Sequence, residues 1–109
     1  MSDDAVTLGG NIQLVGFSEL DSGTQIVLKK IIGNYARRYS EIYPGFELLK
    51  LQMKTIHERE KSEKYEIHGM VIGNGKHFNA TVDDMNLFFA LDKVLKKVES
   101  EIGHAVHHN

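Results

Sequence analysis

A chain of 109 residues without cysteine is long enough for one hydrophobic core and cannot form a disulfide, an iron–sulfur cluster or a thiolate zinc site. Its net charge of −2 excludes coating of nucleic acid by bulk positive charge, so any RNA contact must come from a local basic face. No apolar run reaches the length of a membrane span, and Met1-Ser2-Asp3-Asp4 is too acidic for a secretory signal, which makes the cytoplasm the expected compartment.

In chain order, residues 1–10 end in Gly9-Gly10 and read as a flexible leader. Ile12, Leu14 and Gly16 then alternate with Asn11, Gln13 and Val15, the period of a short strand. Ser22-Gly-Thr-Gln25 has capping-box spacing and opens a helix expected to reach Tyr43. Leu28, Ile31, Ile32, Tyr35, Tyr39 and Ile42 form its apolar stripe, and Pro44-Gly45 ends it. A second strand covers residues 46–57, with Leu49, Leu51 and Met53 on one face and Lys50, Gln52 and Lys54 on the other. Residues 58–64 are wholly polar and predict a solvated, mobile hairpin loop.

A third strand runs from Tyr65 to about Ile72, followed by a tight turn at Gly73-Asn-Gly75 and a fourth strand from His77 to Val82. Asp83-Asp84 reads as a turn and Asn86 as the N-cap of a last helix. Phe88, Leu91, Leu95, Val98 and Ile102 make the stripe of that helix, Gly103 its C-cap, and residues 104–109 a frayed tail. The order β-α-β-β-β-α predicts an α+β domain over residues 11–103: a four-stranded sheet with two helices packed on one face. Leu28, Tyr35, Leu51, Phe78, Ala80, Phe88, Leu91, Leu95 and Val98 are the expected core. The other sheet face would carry Lys50, Gln52, Lys54, Glu66, His68, Asn79 and Thr81, and such a polar face can stay wet.

At 100° per residue the first helix turns Lys29, Lys30, Gly33 and Arg37 outward, with Arg38 on a flank, and the last helix turns Lys93, Lys96 and Lys97 outward. Side by side, the two helices would share one basic surface able to hold RNA phosphates without reading bases. Surface helices are also lysine-rich for solubility alone. Phe89 falls opposite the apolar stripe among these cations and is a candidate for stacking on a base. His57, His68 and His77 lack metal-ligand spacing, and His104, His107 and His108 crowd the end of the chain. Neither a nucleophile elbow nor a P-loop is present, so no catalytic residues, no metal and no cofactor are expected, and the chain reads as a binding protein rather than an enzyme.

The stretch from Gly75 to Lys97 resembles the closing segment of the ribosome hibernation-promoting factor family, which includes the ribosome-associated inhibitor and the sigma-54 modulation proteins. Ala80 on the last strand, Asn86 as helix cap, the aromatic Phe88, then Ala90-Leu91-Asp92 and Lys97 take the places of that family's motif. The element order is also the family's, so the resemblance spans about residues 11–103. It implies binding in the mRNA–tRNA channel of the small ribosomal subunit, to rRNA and ribosomal proteins, and inhibition of translation in idle or stressed cells. Phe89 stands where the family has a small residue, and the tail Gly-His-Ala-Val-His-His-Asn is less basic than the family's. Two other readings stay open: a general RNA-binding module of double-stranded-RNA-binding-like topology, and a protein–protein module using the sheet face or edge, with a weak homodimer among the candidates.

Overall fold

The computed structural model describes residues 5–8, 10–59 and 62–107. Its elements are β1 (Ala5–Leu8), β2 (Ile12–Val15), α1 (Ser22–Ile42), β3 (Phe46–Arg59), β4 (Ser62–Gly73), β5 (Lys76–Asp84) and α2 (Leu87–His107). From β2 onward the order is β-α-β-β-β-α, and the fold is α+β. The strands form one sheet in chain order. β2 pairs parallel with β3 through the α1 crossover, and the other neighbours are antiparallel. Helix α2 packs over β4 and β5, while α1 packs beside α2 and over β3.

The leader expected over residues 1–10 is in part a strand. Ala5–Leu8 pairs antiparallel with β2, which lies otherwise at the edge of the sheet. The alternation of Ile12 and Leu14 into the core gives β2 its facing, and an edge ladder rests on backbone groups that need no apolar pattern.

Asp21, one residue before the expected cap, caps α1. Its carboxylate accepts from the Thr24 amide at 3.1 Å and from the Thr24 hydroxyl at 2.7 Å. A charged acceptor at a helix N-terminus also meets the positive end of the helix dipole, an advantage the Ser22 hydroxyl lacks. Gln25 does not close a capping box; it donates to the Leu20 carbonyl at 2.7 Å.

The polar run 58–64 is largely strand. The ladder passes through His57↔Glu63 and, after an irregularity, Arg59↔Ser62. A loop was expected because no side chain there seeks the core, but antiparallel pairing is held by the backbone, and His57 Nδ1 lies 3.5 Å from the Glu63 carboxylate. Glu60 and Lys61 lie outside the described residues. Asp83 and Asp84 likewise end β5 rather than forming a turn. The Gly73-Asn-Gly75 turn is as expected, with Asn74 at φ 52° and Gly75 at φ 73°.

Asn86 caps α2 by accepting the Phe89 amide at 3.0 Å. The stripe of α2 is rotated slightly from expectation. Leu87, Ala90, Leu91, Val94, Leu95, Val98 and Ile102 are buried, whereas Phe88 is 39% exposed and Ala80 only partly buried. Ala90 and Val94 are small enough to face the sheet, which turns Phe88 to the flank. The helix continues past Gly103 to His107, and Ala105 packs on the core, so Gly103 is no cap and the tail over 104–107 is helical. His108 and Asn109 lie outside the described residues.

Gly69 on β4 lets α2 come close. A Cβ there would sit 3.2 Å from Leu51 Cδ2 and 3.3 Å from Val94 Cγ2. Gly69→Val should therefore lift α2 and lower stability by roughly 1–3 kcal/mol, read from the urea midpoint.

Candidate nucleic-acid interface

The two helices lie side by side and run parallel. Tyr35 donates to Asp92 at 3.3 Å, Tyr39 to the Leu95 carbonyl at 2.6 Å, and Ile42 lies beside Glu99, Gly103 and Val106, so positions advance together along both helices. Tyr39 is fully buried at this seam, and burial pushes its phenol far above the ordinary value, leaving it a permanent donor.

The seven cations singled out from the sequence do not form one uniform patch. Arg38 sits in the seam, 2.6 Å from Glu99 and 5.2 Å over the Tyr35 ring. The hydrogen bond and charge of Glu99 hold its guanidinium above its ordinary value. Lys96 pairs with Asp92 one turn away at 3.1 Å, and Lys93 with Asp84 at the end of β5 at 2.7 Å. Lys29 lies on the far flank of α1, near Leu14 and Phe17. Lys97 lies on the β5 flank of α2, near Asn79 and Thr81. Lys30 and Arg37 are exposed on the outer face of α1, and among the described residues neither has a carboxylate within ion-pair distance.

The outward surface thus carries Lys30 and Arg37 on one helix and Lys93 and Lys96 on the other. Phe89 is 61% exposed on α2, one turn before Lys93. The Lys93–Asp84 and Lys96–Asp92 pairs are solvent-exposed, and such pairs are weak enough for a phosphate to compete for the lysine. Carboxylate partners at positions 84, 92 and 99 are what helical phase alone missed. Asp92 to Lys96 was legible as an i, i+4 pair, while the other two depend on packing between elements.

Gly33 has open space around its Cα on the partly exposed side of α1. Gly33→Ala should gain about 0.5–1 kcal/mol, because alanine has the lower entropic penalty in a helix.

The opposite sheet face is polar as expected. His68 bridges its neighbours, with Nε2 3.2 Å from Asn79 Oδ1 and Nδ1 3.1 Å from the Thr81 hydroxyl. Lys50, Gln52, Lys54 and Glu66 complete the surroundings of this cross-strand row. Among the described residues no three His, Asp or Glu side chains converge on one point as metal ligands would. Among the described residues no helix is long and apolar enough to cross a membrane.

Asp21 and Asp84 are both held below the ordinary carboxylate value of 3.8, Asp21 chiefly by the Thr24 hydroxyl and Asp84 chiefly by Lys93. A depressed folded-state value gives stability that is full above the unfolded value and is lost as pH falls through the folded one. Asp21→Asn combined with Asp84→Asn should therefore lower the melting temperature at pH 7 and flatten its decline below pH of about 4, measured by circular dichroism across a pH series.

No protein-family model matches the chain, and no curated protein matches it.

Proposed function

We propose that the protein is a ribosome-binding inhibitor of translation, held on the small subunit by phosphate contacts along the outer faces of α1 and α2. The observation that carries this reading is the parallel pairing of the two helices, which sets Lys30, Arg37, Lys93 and Lys96 outward on one surface of a protein with net negative charge. The resemblance of residues 75–97 to the hibernation factors directs the choice of partner. Phe89 adds an exposed aromatic face on which an unstacked base can lie. On this reading the protein acts by occupying a binding channel, in the cytoplasm, and needs no catalytic group.

The test is co-sedimentation of the chain with small ribosomal subunits over a salt series. Phosphate contacts release condensed cations, so four such contacts should weaken binding by roughly a hundredfold between about 50 and 200 mM salt. An absence of binding at the low end of that range would overturn the assignment.

A further inference from the structure

Strand β5 ends the sheet opposite β1, and among the described residues no strand pairs with its outer edge. It spans nine residues, contains no proline, and pairs with β4 in unbroken register. Natural edge strands usually carry proline, a bulge or a central charge to prevent pairing, and the middle of β5, Phe78-Asn79-Ala80-Thr81-Val82, has none of these.

The two-residue turn closes on the Gly73–Lys76 pair, which fixes the alternation along β5. Lys76, Phe78, Ala80, Val82 and Asp84 direct their backbone groups to β4. His77, Asn79, Thr81 and Asp83 direct theirs outward. The sequence Lys-His-Phe-Asn-Ala-Thr-Val-Asp-Asp is chemically symmetric about Ala80: basic residues stand at one end, acidic at the other, with Phe opposite Val and Asn opposite Thr when the strand is laid antiparallel on itself.

We infer that β5 is a homodimerisation edge, pairing antiparallel with β5 of a second copy about a two-fold axis at Ala80. In that register Asn79 faces Thr81 of the other copy, and both present outward N–H and C=O groups. His77 faces Asp83 and Lys76 faces Asp84, so both ends of the joint carry opposite charges. A two-fold axis repeats each contact, as an isologous interface requires.

The helix layer fits the same arrangement. Helix α2 lies over β4 and β5, and a strand spacing is about 4.8 Å, so continuing the sheet through the dyad brings the two copies of α2 to roughly 10 Å, the distance of packed helices. A groove of about 360 Å³ runs between β5 and α2, lined by Asn79, Ala80, Thr81, Lys97, Ser100 and Glu101. These residues lie nearest the dyad, and Lys97 of one copy would approach Glu101 of the other. Lys30, Arg37 and Lys96 stay on the outer helix face, away from the joint; of the proposed RNA-facing cations Lys93 alone adjoins it, through its pair with Asp84.

The test combines sedimentation equilibrium of the full chain over a concentration series with amide hydrogen exchange by NMR. The expected result is a monomer–dimer equilibrium in which the amides of His77, Asn79, Thr81 and Asp83 gain protection as concentration rises, while those of Phe78, Ala80 and Val82 are protected throughout. His77→Asp sets like charges opposite each other twice and should weaken the dimer roughly tenfold. Adding Asp83→Lys should restore it. Within one chain these positions lie about 20 Å apart along the strand, too far to compensate each other. A chain that remains a monomer up to roughly 1 mM, a dimer whose new protection lies outside β5, or a double variant that fails to recover would each overturn the inference.

Discussion

Reversing Lys30, Arg37 and Lys96 to glutamate together should abolish retention on the small ribosomal subunit at salt concentrations where the parent chain is fully bound. Each reversal removes a cation from the surface proposed to face the phosphates and adds an anion, so the local charge changes by about six units. Lys30 and Arg37 have no carboxylate partner among the described residues, so their full charge is available to RNA. Lys96 pairs with Asp92, and on the proposed reading would exchange that carboxylate for a phosphate. All three side chains are exposed on helix faces turned away from the core, so the unfolding midpoint should stay close to the parent's. The matched control reverses Lys50 and Lys54 on the open face of the sheet and should leave most of the binding. Loss of ribosomes by the control, with retention by the helix variant, would place the contact on the sheet. Pelleting with purified subunits, followed by quantification of the free chain, reads both.

Truncating Tyr39 to alanine should be the most destabilising of the substitutions considered, by about 3–5 kcal/mol in chemical denaturation. The side chain is fully buried between α1, α2 and the sheet, with the Tyr35 ring at 6.0 Å on one side and Phe46 at 6.2 Å on another. Its hydroxyl donates to the Leu95 carbonyl at 2.6 Å and so fixes the spacing of the helices. Tyr39→Phe keeps the ring and removes only the donor, and its effect should be closer to 1 kcal/mol. Equal losses in the two variants would assign the position's worth to the hydrogen bond and not to packing.

Much of this architecture was legible because its elements repeat their periods without interruption. The stripe Leu28, Ile32, Tyr35, Tyr39 and the alternation Leu49, Leu51, Met53 each predict the buried face that the structure shows. What escaped is governed by backbone or by neighbours far away in sequence. Ala5–Leu8 joins the sheet through an edge ladder, and residues 62–64 extend β4 although every side chain there is polar. Asp21 outcompetes Ser22 as a cap through charge, which spacing does not weigh. Phase placed seven cations correctly on helices but said nothing of the acids packed against them. Glu99 meets Arg38 across the seam, and Asp84 reaches Lys93 from another element. Phe88 and Phe89 were separable only by the exact rotation of α2, which the small residues Ala90 and Val94 decide.

The parallel run of α1 and α2 has an electrical consequence of its own. Most adjacent helices in small domains are antiparallel, so their backbone dipoles largely cancel. Here they add, each contributing roughly half a positive charge at the N-terminal end and half a negative charge at the other. Both N-termini point the same way, Ser22 leading Leu87 by about two turns, in a body 49 Å long and about 25 Å across. In a field that varies along that length, the chain experiences a torque as well as a force. A polyanionic surface would meet the protein already turned, with the end toward which both helix N-termini point leading.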